Sequence, residues 1–293
     1  MQLVKQVKLF GGSVKQFSHE SATTKCTMKF SVFLPPSASE TNKVPVLFYL
    51  AGLTCSDELL FVKAPNAAKI AAARGIAVVA MDTSPRGVNI EGEDDSWDFG
   101  SAAGFYLDAT EPKWEDHYRM YTYVTKELPA LITANFPVSE DKHSIMGHSM
   151  GGHGALVLGI RNPARLAQFF YFSADQYKSI SAFAPIAHPS QCPWGIKAFT
   201  GYLGPDQETW KQYDATQLIL KHGPVAAPIL IDQGSEDQFL HDKQLLPEAF
   251  EAAAQKVNQK ATIRMQEGYD HSYYFISTFV EEHVNFHADA LLQ

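Results

Sequence analysis

Gly147-His148-Ser149-Met150-Gly151-Gly152 is the stretch on which the fold turns. It fits G-x-S-x-G. It follows His143 to Met146, which reads as a short strand, and it opens Ser149 to Arg161, a small-residue run that reads as a helix stopped by Asn162-Pro163. A serine set between strand and helix in this way is a nucleophile elbow. So sharp a turn strains the serine backbone, and side chains two positions to either side would clash. Gly147 and Gly151 remove those clashes, while Gly152, Gly154 and Ala155 let the helix pack closely on the sheet. The helix N-terminus faces the serine, so its dipole and free N–H groups favour developing negative charge. Five matching residues alone also recur by chance in helix-packing turns; the strand–turn–helix context favours catalysis.

Outward from the elbow, strands and helices alternate. Val4 to Phe10 and Thr27 to Leu34 read as strands, the second closed by Pro35-Pro36, and Ser37 to Lys43 reads as a loop. Val44 to Leu50 and Ile76 to Met81 are continuous apolar runs, as expected of strands covered on both faces. Ala64 to Arg74 is an Ala-rich helix stopped by Gly75, and Met120 to Asn135 has helical spacing. Ser179 to Ala184 and Pro228 to Asp232 are strands, Leu245 to Gln255 a helix, Ala261 to Gln266 a strand, and Tyr274 to Leu292 a C-terminal helix. With no internal repeat and no low-complexity linker, the pattern predicts one α/β domain over 1–293, a mostly parallel sheet flanked by helices.

A serine needs a base and an orienting acid. In this architecture they follow it in the order acid then histidine, on loops after later strands. Gln233-Gly234-Ser235-Glu236-Asp237 follows one such strand, and Glu267-Gly268-Tyr269-Asp270-His271 follows the next. His271 is the candidate base. Asp232 belongs to its strand, Asp242 opens the next helix, and Asp270 is too close to His271 to reach its ring in the usual way. Asp237 remains as acid, accepting the Nδ1–H bond of His271, with an ordinary turn carboxylate as the alternative. Oxyanion donors are expected from the backbone N–H of Met150 and of Leu53, the latter in the loop Leu50-Ala51-Gly52-Leu53-Thr54-Cys55. A plain β-turn is the other reading of that loop.

Composition narrows the class. The chain has 293 residues, 45% hydrophobic and 19% charged, with net charge −8. At this length about three-quarters of the unfolded surface can be buried, so no metal or disulfide staple is needed. The acidic balance argues against nucleic acid and anionic membrane as partners. Cys26, Cys55 and Cys192 cannot all pair within one chain, which suggests a reducing compartment. The N-terminus lacks signal-peptide and transit-peptide patterns, and no apolar run is long enough to span a membrane. A cytoplasmic protein is expected.

Several blocks are more specific than the elbow. They include LAGLTCSDE (Leu50 to Glu58), DTSPRG (Asp82 to Gly87), GEDDSWDFG (Gly92 to Gly100), AGFYLDAT (Ala103 to Thr110) and GHSMGGHGAL (Gly147 to Leu156). SAFAPI (Ser181 to Ile186), CPWG (Cys192 to Gly195), GYLG (Gly201 to Gly204), IDQGSEDQFL (Ile231 to Leu240) and QEGYDHSYYFI (Gln266 to Ile276) follow. In this order the chain resembles the S-formylglutathione hydrolase (esterase D) family over nearly its whole length. The resemblance implies an α/β-hydrolase fold and a cytosolic serine thioesterase of formaldehyde detoxification, splitting a glutathione thioester into glutathione and formate. It also implies side activity on short carboxylic esters, a homodimer, and a catalytic Ser149, Asp237 and His271. It places Cys55 near the site, where a family sensitivity to thiol reagents would arise, although a small buried residue explains it equally. By family position Trp97, Phe99 and Trp194 line the pocket or simply pack.

One departure stands out. Between Asn162-Pro163 and the next strand the chain carries Ala164 to Gln176, with Phe169, Phe170, Tyr171 and Phe172 in a row. These aromatics cap the active-site mouth, join a subunit interface or cover the core; core or interface packing is the favoured reading. His148 and His153 lack zinc spacing, and His283 and His287, one turn apart, read as a solvated helix face. Glu91 to Asp98 reads as a surface loop with Trp97 and Phe99 turned inward, since its spacing does not match a calcium loop. No cofactor or metal is expected. A general carboxylesterase or acyltransferase on the same triad is the runner-up, and a non-catalytic binding protein on the same scaffold is the reading from another class.

Overall fold

A computed structural model describes residues 1–161 and 177–293. Its centre is a nine-stranded sheet among the described residues, in the order β1-β2-β3-β5-β4-β6-β7-β8-β9. The strands are β1 Gln2–Leu9, β2 Gly12–Ser21, β3 Cys26–Leu34, β4 Val44–Leu50, β5 Ala77–Met81, β6 Val138–His148, β7 Ile180–Phe183, β8 Ile229–Gly234 and β9 Ala261–Gln266. From β5 through β9 every neighbour is parallel; β1, β2 and β3 join as antiparallel pairs, β3 meeting β5.

The apolar runs explain the middle. β4, β5, β7 and β8 are buried at every residue, because helices cover both faces. Helix Asn66–Arg74 ends on Gly75, whose left-handed φ of 69° supplies the cap. The Met120–Asn135 stretch is helical with one π turn at Tyr123–Glu127. No helix among the described residues is long and apolar enough to cross a membrane.

Three expectations shift. β2 was not expected, because GSVKQFSHES is polar, and its partner strand ends at Leu9 rather than Phe10. Phe10 and Gly11, with φ of 45° and 79°, form the two-residue turn between them, both residues left-handed as a type I′ hairpin requires. β6 starts at Val138, five residues early, and its polar Ser139 to Lys142 falls where the register against β4 slips. Asp242 does not open a helix: it caps the end of Gln238–His241, and the next helix is Pro247–Lys256. The aromatic run at 169–172 lies outside the described residues.

The largest correction concerns the C-terminal helix Tyr273–Leu291. His283 and His287 are not solvated; both are fully buried against the sheet. Neutral imidazoles complete a directed chain there. Ser144 and Ser179 hydroxyls lie 2.8 Å apart, Ser179 is 2.7 Å from His287 Nδ1, and His287 Nε2 is 2.7 Å from Ser181. Ser181 then donates to His283 Nδ1 at 2.9 Å, and His283 Nε2–H donates to Asp232 Oδ2 at 3.1 Å. Arg264 grips Asp232 through two 2.6 Å bonds, so that carboxylate stays ionised at the strand end.

Acid lability follows from this helix and from the elbow. Burial lowers the pKa of His283 and of His287, pushes His153 down to about 4, and holds His148 well below the ordinary imidazole value. In the unfolded chain each titrates near 6.5. Below that pH the unfolded state binds more protons than the folded one, so stability is full above about pH 6.5 and drains as pH falls toward about 4. The urea midpoint is therefore expected to drop steeply between pH 7.5 and pH 5; a flat midpoint over that range would contradict the buried neutral state.

Candidate active site

Ser149 follows β6 directly and adopts φ of 59°, a left-handed conformation that a serine holds only under constraint. The constraint is visible around the turn. A Cβ on Gly147 would lie 2.0 Å from the Gly151 carbonyl oxygen, and one on Gly151 would lie 2.0 Å from the Leu50 oxygen. Ser149 N–H donates to Phe183 O at 2.9 Å, tying the elbow to β7, and the helix Met150–Arg161 starts at the next residue. Ser149 itself is nearly buried.

The loops after β8 and β9 meet beside the elbow. Asp237, fully buried, caps the short helix Gln238–His241, its Oδ1 accepting from Phe239 N–H at 2.8 Å and Leu240 N–H at 3.4 Å. Its Oδ2 accepts from His271 Nδ1–H at 2.6 Å. Burial alone would raise the Asp237 pKa, but His271 and the N–H donors more than offset it and hold it below the usual carboxylate range. With Nδ1 committed, Nε2 is the nitrogen available for proton transfer. The His271 ring lies 4.6 Å from that of His148, and His148 Nε2–H donates to the His271 carbonyl at 3.1 Å. The residue preceding Ser149 thus fastens the histidine loop to the elbow.

The loop after β4 approaches from the other side. A Cβ on Gly52 would lie 3.2 Å from Ser149 Cβ, so the loop passes tightly against the elbow and a side chain there would press on it. Among the described residues neither the Leu53 N–H nor the Met150 N–H donates to another atom. Four hydrogen bonds set the loop's path. Tyr106 OH donates to Ala51 O at 2.8 Å, Thr83 Oγ1 and Arg86 Nη2 donate to Cys55 O at 2.9 and 2.8 Å, and Thr54 N–H donates to Ala102 O at 3.1 Å. The blocks DTSPRG and AGFYLDAT therefore hold the loop after β4, a bracing role that the sequence alone does not reveal, and the same is true of the His148 bond to the His271 loop. The legible signal was polar groups at the edges of apolar runs.

The remaining expected residues divide. Cys55 sits in the loop after β4, half-buried; burial raises its thiol pKa, opposed by a hydrogen bond with Tyr273, so it is a neutral thiol and a poor nucleophile. Trp194 is buried, 4.6 Å from Phe239, whose ring meets His271 edge-on at 4.8 Å. Trp97 does not turn inward as expected. It is 56% exposed, resting edge-on against Trp194 at 5.7 Å, because its neighbours Ser96 and Asp98 pair with Lys197 at the surface. Phe99 does turn in, but toward an aromatic cluster: it stacks on Tyr202 at 4.4 Å and meets Trp114 at 5.1 Å. No group of three or more metal-ligating side chains occurs among the described residues.

The Esterase family model matches residues 21–286. The S-formylglutathione hydrolase of Bos taurus is 53% identical over 291 residues, 99% of this chain and 99% of that protein. The chain belongs to the S-formylglutathione hydrolase family. A second relative of that name, from Arabidopsis thaliana, is 54% identical over 285 residues, 97% of this chain and 95% of its own. Among solved structures, an S-formylglutathione hydrolase from Agrobacterium tumefaciens has a TM-score of 0.91 and 44% identity, covering 99% of this chain and 100% of that one. The fold is accordingly that of the α/β hydrolases, and this member of the S-formylglutathione hydrolase family is an esterase-type enzyme. Ser149 and the loops carrying Asp237 and His271 stand at the C-terminal ends of the parallel strands β6, β8 and β9, where open α/β sheets form their sites.

Proposed function

We propose that the chain is a cytoplasmic serine thioesterase that hydrolyses S-formylglutathione to glutathione and formate, with side activity on short carboxylic esters. The observation that supports this most is the 2.6 Å bond between Asp237 and His271 beside a strained elbow serine. The relatives' names and near-complete coverage supply the substrate class. Three separate free cysteines accord with a reducing compartment.

Ser149 Oγ attacks the formyl carbonyl carbon as its proton passes to His271 Nε2, and Asp237 stabilises the imidazolium through Nδ1–H. The carbonyl oxygen, now an anion, takes hydrogen bonds from the Leu53 and Met150 N–H groups. The C–S bond then breaks, and the imidazolium proton leaves with the glutathione sulfur as thiol. Water attacks the formyl-serine ester with His271 again taking the proton; collapse releases formate and returns the proton to Ser149. A thiol is a good leaving group, so the enzyme's task lies in placing the carbonyl rather than in forcing departure.

The test is a comparison of kcat/KM for S-formylglutathione and for short p-nitrophenyl esters. The thioester is expected to be favoured more than about tenfold, corresponding to about 1.4 kcal/mol of transition-state binding. Equal values, or a preference for the esters, would point to a general carboxylesterase on the same three residues.

A further inference from the structure

Gln233 lies in β8 with no exposure, in a strand whose every residue is buried. The two ends of its amide are unequal. Nε2 donates to Asp237 Oδ2 at 2.9 Å and to Gly234 O at 3.2 Å, whereas Oε1 is buried without a hydrogen-bond partner among the described residues. An unpaired buried amide oxygen is a liability that an apolar side chain of similar shape would not carry. Nor can the amide turn over, since Oε1 would then face a carboxylate. Packing alone in this strand would favour Met or Leu, and what the glutamine adds is its amide donor, held by Gly234 O and Asp237 Oδ2. The nearer of the two, Asp237 Oδ2, is the same oxygen that receives His271 Nδ1–H.

We propose that Gln233 is a positioning residue for the Asp237–His271 pair, fixing the direction of Oδ2 and moderating its negative charge. The inference rests on the reading of Ser149, Asp237 and His271 as the reacting set. With Oδ1 bound to the Phe239 and Leu240 N–H groups and Oδ2 to Gln233, Asp237 can rotate toward neither solvent nor the elbow. Its remaining lone pair points at Nδ1. Sharing Oδ2 between two donors also limits how strongly the carboxylate favours imidazolium over imidazole. The other ionisable groups around the pair do not duplicate this. His148 from the elbow is kept neutral by burial and bonds the His271 backbone; Tyr273 packs on His148 with ring centres 6.0 Å apart; Asp270 is engaged by Ser272.

The experiment replaces Gln233 by apolar side chains of similar size, Gln233→Met and Gln233→Leu, and reads four quantities in the full-length enzyme. Tm is expected to be equal to or above the parent value. The value of kcat should fall roughly tenfold with KM nearly unchanged, and the acid limb of the rate–pH profile should move to higher pH. A fall in Tm for both variants, or an unmoved acid limb, overturns the proposal, because a merely structural glutamine would lose stability and leave the pH profile alone. Ser149→Ala, assayed in parallel, separates the two levels. An active Ser149→Ala sinks the underlying reading, whereas an inactive one beside parent-like Gln233 variants sinks only the role of Gln233.

Discussion

Ser149→Ala is expected to lower kcat by roughly 10³-fold or more while leaving the fold intact. The size follows from the division of labour at the site. The donors at Leu53 and Met150, the bound conformation of the substrate and His271 all survive the change, so water can still be directed at the carbonyl. What disappears is the covalent step, and with it most of the advantage of a nucleophile held in place. Labelling by a serine-directed fluorophosphonate should vanish in the same variant, which also disposes of the binding-protein reading: a scaffold without catalysis would bind ligand equally well with alanine. The backbone adds a second, independent check. Ser149 sits at φ of 59°, where a Cβ is strained and glycine is not. Ser149→Gly should therefore be at least as stable as Ser149→Ala by thermal melting. Parent-like turnover in a folded Ser149→Ala enzyme would remove the mechanism altogether.

The parts of this site that were legible in the sequence are those whose physics is local. The elbow declared itself because Gly147 and Gly151 answer steric demands made within a few residues, and β4 and β5 because burial on both faces writes itself as an unbroken apolar run. Asp237 and His271 were reachable because each closes a loop after a later strand in the expected chain order, with Asp237 left once the neighbouring carboxylates were set aside. What stayed hidden depends on partners distant in sequence. His283 looked like one side of a solvated turn until Ser181 and Asp232, on two other strands, supplied its bonds. Trp97 was misplaced for the same reason: an aromatic residue in an acidic loop says nothing about whether Lys197, far along the chain, will hold that loop at the surface. β2 was missed because its polar sequence is paired on both edges, by β1 and β3, and only the pairing makes it a strand.

Asp237→Asn is expected to lower kcat by roughly 10⁴-fold while leaving the fold in place. Asparagine is as good a helix N-cap as aspartate, so its Oδ1 can keep the Phe239 and Leu240 N–H groups and the short helix Gln238–His241 should remain. The damage falls on the other atom. Where Oδ2 now accepts from His271 Nδ1–H at 2.6 Å, the amide presents N–H groups. His271 can answer only by offering Nδ1 as an acceptor, which moves its proton to Nε2, the nitrogen that must receive the serine proton. The base is then in the wrong tautomer and Ser149 has nowhere to send its hydrogen. A carboxylate pKa held down by these same bonds predicts the direction of the stability change as well. In the parent, the depressed Asp237 contributes stability above about pH 4 that is lost as pH falls through its folded value, and the amide variant should lack that dependence. The decisive measurement is kcat against pH for the folded variant. Activity that stays low across the neutral range would fit an imidazole held in the wrong tautomer, since the two neutral tautomers carry the same number of protons, while parent-like activity at neutral pH would mean that Asp237 does not orient His271 and that the carboxylate serving the imidazole must be sought elsewhere.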